Sequence, residues 1–144
     1  MMLTTKGRYA VMAMVDIAYY AKGQEVIALH EIAQRQEIAV NYLEQLFCKL
    51  KRHNLVESTK GPGGGYKLSR SPQDISIFEV INAVDEDIKI TRCENLEKGC
   101  LVKRNKICFT HVLWNGLGEK ISGYLNSMSL QDVCNNISAK SAAT

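Results

Sequence analysis

Apolar residues recur at helical spacing through the first third of the chain. Thr4 and Thr5 are suited to cap a first helix that runs to about Lys22, with Ala10, Met14, Ile17, Ala18 and Ala21 on one apolar face. Lys22-Gly23 closes it. A short lead from Val26 to Leu29 precedes a second helix predicted from about His30 to Gln36. A tight turn over Glu37 to Val40 then opens a third helix that runs to about Asn54. Leu43, Leu46, Phe47 and Leu50 stand at i, i+3, i+4 and i+7 and predict its buried stripe. At about 100° per residue the opposite face carries Asn41, Glu44, Gln45, Cys48 and Arg52.

The pattern changes at Leu55. LVEST and YKLSR read as strands on either side of KGPGGG, which gives a β-hairpin from Leu55 to Arg70. Pro62 fixes φ for the second position of a turn, and Gly61, Gly63, Gly64 and Gly65 allow positive φ or close approach to another molecule. The phosphate-loop pattern G-x-x-x-x-G-K-[ST] is absent, and a strand follows the glycines instead of a helix. Ser71-Pro72 ends the hairpin, and a fourth helix from about Ile77 to Val84 is expected to turn Phe78, Val80, Ile81 and Val84 inward before Asp85-Glu86-Asp87 stops it. From about Phe109 a long helix carries Val112, Leu113, Leu117, Ile121, Tyr124, Leu125 and Met128 at helical spacing. Gly116, Gly118 and Gly123 weaken it by about 1 kcal/mol each relative to alanine, so its stripe calls for a covering surface, and dimerisation is the expected one. A short helix over Leu130 to Cys134 and an irregular polar tail complete the chain. The fold class expected is mainly α with a small β wing. Residues 1–88 would form a winged helix-turn-helix head, 89–111 a cysteine-rich loop, 112–136 a dimerisation helix with a short terminal helix, and 137–144 a disordered tail.

Charge sharpens the reading of the head. The net charge of +3 over 144 residues is mild, but from residue 45 to 70 Lys49, Lys51, Arg52, Lys60, Lys67 and Arg70 face the single acid Glu57. Such a local excess of cations is what neutralising DNA phosphates requires. Asn41, Glu44 and Gln45 lie at the front of the third helix, where base edges are read. Gln45 can pair with adenine, and Glu44 can accept from the cytosine amine. Arg52, Lys60, Gly61, Gly63 and Gly64 would meet the backbone or the minor groove.

The cysteines change the picture again. Cys93, Cys100, Cys108 and His111 are spaced C-x6-C-x7-C-x2-H in a polar, basic, turn-forming stretch that offers no periodicity to bury the thiols. Thiolates select zinc, Cu(I) or iron-sulfur clusters, and an imidazole can complete a set of four ligands. Charge does not choose the metal, since a Cys3His zinc site and an oxidised [2Fe-2S] centre on these ligands both carry about −1. The spacing is wider than the pairs usual in structural zinc sites and leans toward a cluster. Cys108 is expected at the start of the long helix, three residues from His111 and on its face. A thiol enzyme would lack both a C-x-x-C motif and an evident orienting acid, and an electron carrier would have no use for the wing. The start MMLTTKGRY has no apolar signal core, no run approaches about 18 apolar residues, and five cysteines is an odd number, so reduced thiols in the cytoplasm are expected.

The segments LTTKGRYAV, NYLEQLF, KGPGGGY, AVDE and CFTHVLW together resemble the IscR-like family of bacterial iron-sulfur cluster regulators, within a large superfamily of winged-helix repressors. The likeness runs from Met2 to about Asn136, although the cysteine spacing is wider than that family commonly shows. It implies a homodimeric, cytoplasmic transcription factor that binds operator DNA and is not an enzyme. It further implies one [2Fe-2S] cluster per subunit, held by Cys93, Cys100, Cys108 and His111 and supplied by the cluster-assembly machinery, whose genes the loaded protein represses. Related regulators that sense nitric oxide or iron, or that bind zinc, share much of this pattern.

Overall fold

Six α-helices and two small hairpins make up residues 4–21, 25–84, 101–102, 106–107 and 110–143, the part of the chain that the structure, a computed structural model, describes. Helix α1 (Thr5–Tyr20) buries Ala10, Met14, Ile17 and Ala18, and Ala21 just beyond it is buried too. Helix α2 (Leu29–Gln36) follows Ala28, which has no side-chain acceptor to offer as a cap. Glu31 reaches back instead and accepts the Ala28 N–H at 3.3 Å. Glu37 then adopts left-handed backbone (φ 55°), and the Ile38 N–H donates to the Ala33 carbonyl at 3.1 Å, which turns the chain into α3 (Val40–Arg52).

Helix α3 stops two residues before the expected Asn54. Asn54 itself is the cause: it takes φ 58°, a conformation asparagine tolerates, while the Leu55 N–H reaches back to the Leu50 carbonyl at 3.1 Å. Strands β1 (Val56–Thr59) and β2 (Gly65–Leu68) pair antiparallel from Val56 opposite Leu68 to Thr59 opposite Gly65. Ile27 adds one bridge beyond β2, donating to the Tyr66 carbonyl at 2.9 Å and accepting the Tyr66 N–H at 2.8 Å. The backbones are so close there that a Cβ on Gly65 would stand 2.2 Å from the Ile27 carbonyl oxygen. At the tip, Gly61 (φ 95°) and Gly63 (φ 75°) flank Pro62, and the Gly64 N–H closes the turn on the Gly61 carbonyl at 2.9 Å.

A single 3-10 turn over Pro72–Asp74 leads to α4 (Ile77–Ala83). Ser76 and Glu79 cap it reciprocally: the Glu79 N–H donates to Ser76 Oγ at 3.1 Å, and the Ser76 N–H donates to Glu79 Oε2 at 3.0 Å. This cap makes Ile77 the first helical residue, so Ile77, Val80, Ile81 and Val84 share the buried face. Phe78, expected inside, stands off that face and is half-buried. The expected stop at 85–87 lies outside the described residues.

A short hairpin absent from the sequence reading pairs β3 (Leu101–Val102) with β4 (Lys106–Ile107), Leu101 opposite Ile107. Helix α5 (His111–Ser127) begins two residues after the expected Phe109 and buries none of its residues fully, although Leu125 and the following Met128 pack against the core. Helix α6 (Leu130–Ala143) corrects the expected short helix and irregular tail. Ser129 and Asp132 cap it reciprocally at 2.9 and 3.1 Å, Leu130 and Cys134 are buried, and the alanine-rich end favours helix through residue 143. The starts of α4 and α6 are laced together, with the Ile77 N–H on the Met128 carbonyl at 2.9 Å and the Leu130 N–H on the Ile75 carbonyl at 3.0 Å.

Among the described residues one charged side chain is buried in this core. Asp16 is the lone acid of α1, and its carboxylate accepts from Arg35 Nη2 at 2.7 Å, Arg35 Nε at 3.0 Å and Gln36 Nε2 at 2.8 Å. The Arg35 guanidinium also lies 4.3 Å from the Tyr20 ring centroid. The bond to Asp16, more than the partly opposing desolvation, raises the Arg35 pKa. These contacts tie α2 to α1, and so fix the angle at which α3 is presented.

Candidate nucleic-acid interface and cluster site

The buried stripe of α3 sets the direction of its other face. Leu43, Leu46, Phe47 and Leu50 are buried, and Asn41, Glu44, Gln45, Cys48, Lys49 and Arg52 line an open groove on the opposite side. Among the described residues the wing stands beside this groove. Lys51 Nζ donates to Ser58 Oγ on β1 at 2.7 Å, and Tyr66 on β2 packs its ring against Phe47 with centroids 4.8 Å apart. Tyr9 and Tyr42 meet edge to face at 5.9 Å and brace the front of α3 against α1.

The cations of this region do not all remain free. Lys67 pairs with Glu57 across the wing at 3.7 Å. Arg70 donates to Glu79 at 3.1 Å and to the Asp74 carbonyl at 3.2 Å, which fastens the wing to α4. Lys60 stands exposed beside the glycine turn and has no ion pair with a described residue. Its position, with exposed Gly61 and Gly63, makes the tip a narrow positive projection. The thiols differ as well: Cys48 is exposed in the groove, whereas burial raises the pKa of Cys134 and leaves it a small core residue.

Two contributors to this face escaped the sequence reading. Asp16 was visible as the lone acid among buried positions of α1. Tyr66 was visible as an aromatic directly after the glycine run, with no pattern to tell which way it points.

The second candidate centre is described only at one end. Cys93, Cys100 and Cys108 lie outside the described residues, and the described residues alone contain no group of three or more His, Cys, Asp or Glu that could hold a metal. His111 opens α5 directly after Thr110, whose hydroxyl accepts from Trp114 Nε1 at 3.1 Å. Helix α5 begins at His111, and the expected placement of Cys108 on the same face lies outside the described residues. The His111 Nδ1 atom is buried and has no hydrogen-bond partner among the described residues. Leaving such an atom unsatisfied costs about 1 to 3 kcal/mol. A metal or cluster ligand is a role that would use it, so His111 fits its expected place in the ligand set.

Residues 3–136 match Rrf2, a family of iron-dependent transcriptional regulators. The chain belongs to the Rrf2 family. It is 48% identical over 136 residues to the helix-turn-helix transcriptional regulator IscR of Sodalis glossinidius (strain morsitans), covering 94% of this chain and 80% of that protein. Its fold matches that of T. potens IscR with a TM-score of 0.76 and 31% identity, over 95% of this chain and 88% of that one. CymR, the global cysteine regulator of B. subtilis, matches with a TM-score of 0.76 and 30% identity, over 94% of this chain and 98% of that one. This Rrf2 chain is therefore a DNA-binding transcriptional regulator with a winged helix-turn-helix, and its relatives are regulators, not enzymes. Among its described residues no helix is long and apolar enough to cross a membrane.

Proposed function

We propose that this chain is a dimeric, cytoplasmic regulator that senses iron-sulfur cluster status. In this reading each subunit holds one [2Fe-2S] cluster through Cys93, Cys100, Cys108 and His111 and receives it from the cluster-assembly machinery. The buried Nδ1 of His111, unpartnered among the described residues, carries the proposal. A thiolate-held [2Fe-2S] cluster supplies a centre whose presence and redox state vary with the cell's iron and oxidant supply. The chain's own residues supply the rest. Hairpin β3–β4 occupies the stretch between Cys100 and Cys108 and pairs the residue after the first with the residue before the second, a topology suited to two ligands of one centre. Leu113, Trp114, Leu117 and Tyr124 leave an exposed apolar face on α5, near His111, for a second copy to cover.

At the head, Asn41, Glu44 and Gln45 read base edges in the major groove, Arg52 meets the backbone, and Lys60 with Gly61, Gly63 and Gly64 reaches the neighbouring minor groove or its phosphates. A carboxylate entering a phosphate-lined groove is tolerated where a cytosine amine meets it and penalised elsewhere, so Glu44 also rejects sites. Titrating the cluster-loaded and cluster-free protein against a library of half-sites tests the proposal. Sensing requires at least one class of sites whose affinity differs by tenfold or more between the two forms; indistinguishable profiles across the library would contradict it.

A further inference from the structure

The Tyr66 hydroxyl stands at the junction of α3 and the wing. Its ring rests on Phe47, its backbone N–H and carbonyl both bond to Ile27, and the missing Cβ at Gly65 is what lets the two backbones approach so closely. The side chain is half-buried, and its hydroxyl has no hydrogen-bond partner among the described residues. The hydroxyl oxygen is not itself buried, so it is open to water or to a partner from outside the chain. Phe47 lies on α3 and Tyr66 on β2, so their ring contact seats the phenol between helix and wing; burial first, then Cys48 and Glu44, raise its pKa and keep it a neutral donor.

If α3 occupies a major groove and the wing tip the adjacent minor groove, the strand of phosphates separating the two grooves must run between them. Tyr66 lies at that crossing. We infer that the Tyr66 hydroxyl is a DNA contact that donates a hydrogen bond to a phosphate oxygen of this strand and fixes the register between helix and wing. The inference rests on the proposed DNA-reading face, and it adds a contact that carries no charge. Its loss therefore leaves the counterion balance untouched, unlike the loss of a lysine.

The test compares Tyr66→Phe with the wild-type full chain, prepared without oxygen, on one high-affinity operator. Phenylalanine keeps the ring on Phe47 and removes only the donor. The expected result is an affinity loss of about tenfold with the salt dependence unchanged. Lys60→Ala, by contrast, should flatten the salt slope by about 0.9. A scan of single methylphosphonates, which remove the charge of one phosphate at a time, should find one position where the wild type loses affinity and Tyr66→Phe loses little more. That non-additivity decides the matter even if the variant melts at a lower temperature. Wild-type affinity in Tyr66→Phe, or additive losses at every phosphate, overturns the inference. If Gln45→Ala and Lys60→Ala also bind as wild type, the whole reading face falls with it; if they weaken binding, only the Tyr66 contact does.

Discussion

Helices α3 and α5 announce themselves by the same signal, a stripe of apolar residues at helical spacing, and they use it in opposite ways. In α3 the stripe of Leu43, Leu46, Phe47 and Leu50 is at most 2% exposed. In α5, Val112 is 82% exposed, Leu113 62% and Tyr124 64%. Periodicity identifies a face but does not say what covers it. For α3 the chain's own core does so, and the polar side is left for a ligand. For α5 the core takes only the C-terminal end, near Leu125 and Met128, and the apolar side faces outward. Among the described residues the stripe of α3 is thus covered within the chain, while that of α5 is left uncovered and begins beside the unpartnered His111 Nδ1.

The most forceful way to break this contrast is to charge the α5 stripe. Leu113→Glu combined with Leu117→Glu should weaken self-association by on the order of 5 kcal/mol or more, because a two-fold interface feels each replaced leucine twice. Sedimentation should then show monomers whose helical content is retained, since the head does not rely on this face. Dimers of unaltered affinity would mean that another surface joins the subunits.

Within the head, the Asp16–Arg35 pair should give an asymmetric response in urea unfolding. Arg35→Ala strands a buried carboxylate with only Gln36 left, at a cost of about 3 to 5 kcal/mol. Asp16→Ala should cost about 2 kcal/mol, because the Arg35 side chain is already 29% exposed and can rehydrate. Equal costs would show that the pair does not act as a buried ion pair.

Smaller effects are expected on the polar face of α3. Gln45→Ala should lose about 1 to 3 kcal/mol at sites presenting adenine and gain nowhere. Glu44→Ala should weaken sites that present a cytosine amine and strengthen binding to others. A uniform loss across a half-site library would make Glu44 a structural residue.

The smallest change concerns the α4 cap, where Ser76→Ala should cost about 1 kcal/mol. Partial burial alone would raise the Glu79 pKa, but the Ser76 N–H and Arg70 outweigh it and hold the carboxyl below its ordinary value. A depressed acid stabilises the fold fully above the ordinary carboxylate value and loses that contribution as pH falls through the folded pKa. Glu79→Gln should therefore flatten the acid limb of the stability curve; an unchanged limb would show that the cap carries no charge.

The head was legible because its signals are local and redundant. The α3 stripe, the Pro62 and glycine turn, and the Asn-Tyr-Leu-Glu-Gln face all point to one arrangement. Reciprocal caps were legible too, as Ser76 with Glu79 and Ser129 with Asp132, and reading the first would have placed Ile77 inside; the second fixes only where α6 begins, not how far it runs. Two-residue strands such as Leu101–Val102 are too short to show any period. Tertiary contacts such as Asp16 with Arg35, or Tyr66 with Phe47, join residues whose separation in sequence carries no information. For Cys93, Cys100 and Cys108 the spacing remains the argument, with the His111 Nδ1 as its structural counterpart.

Iron, acid-labile sulfide and zinc measured per chain on anaerobically purified protein, with its visible absorption spectrum, test the central claim most directly. The proposed ligand set predicts about two iron and two sulfide per chain, with the charge-transfer bands of a [2Fe-2S] centre, both lost in Cys100→Ala and retained in His111→Cys. One tightly held zinc without sulfide, or full iron and sulfide in Cys100→Ala, would contradict it.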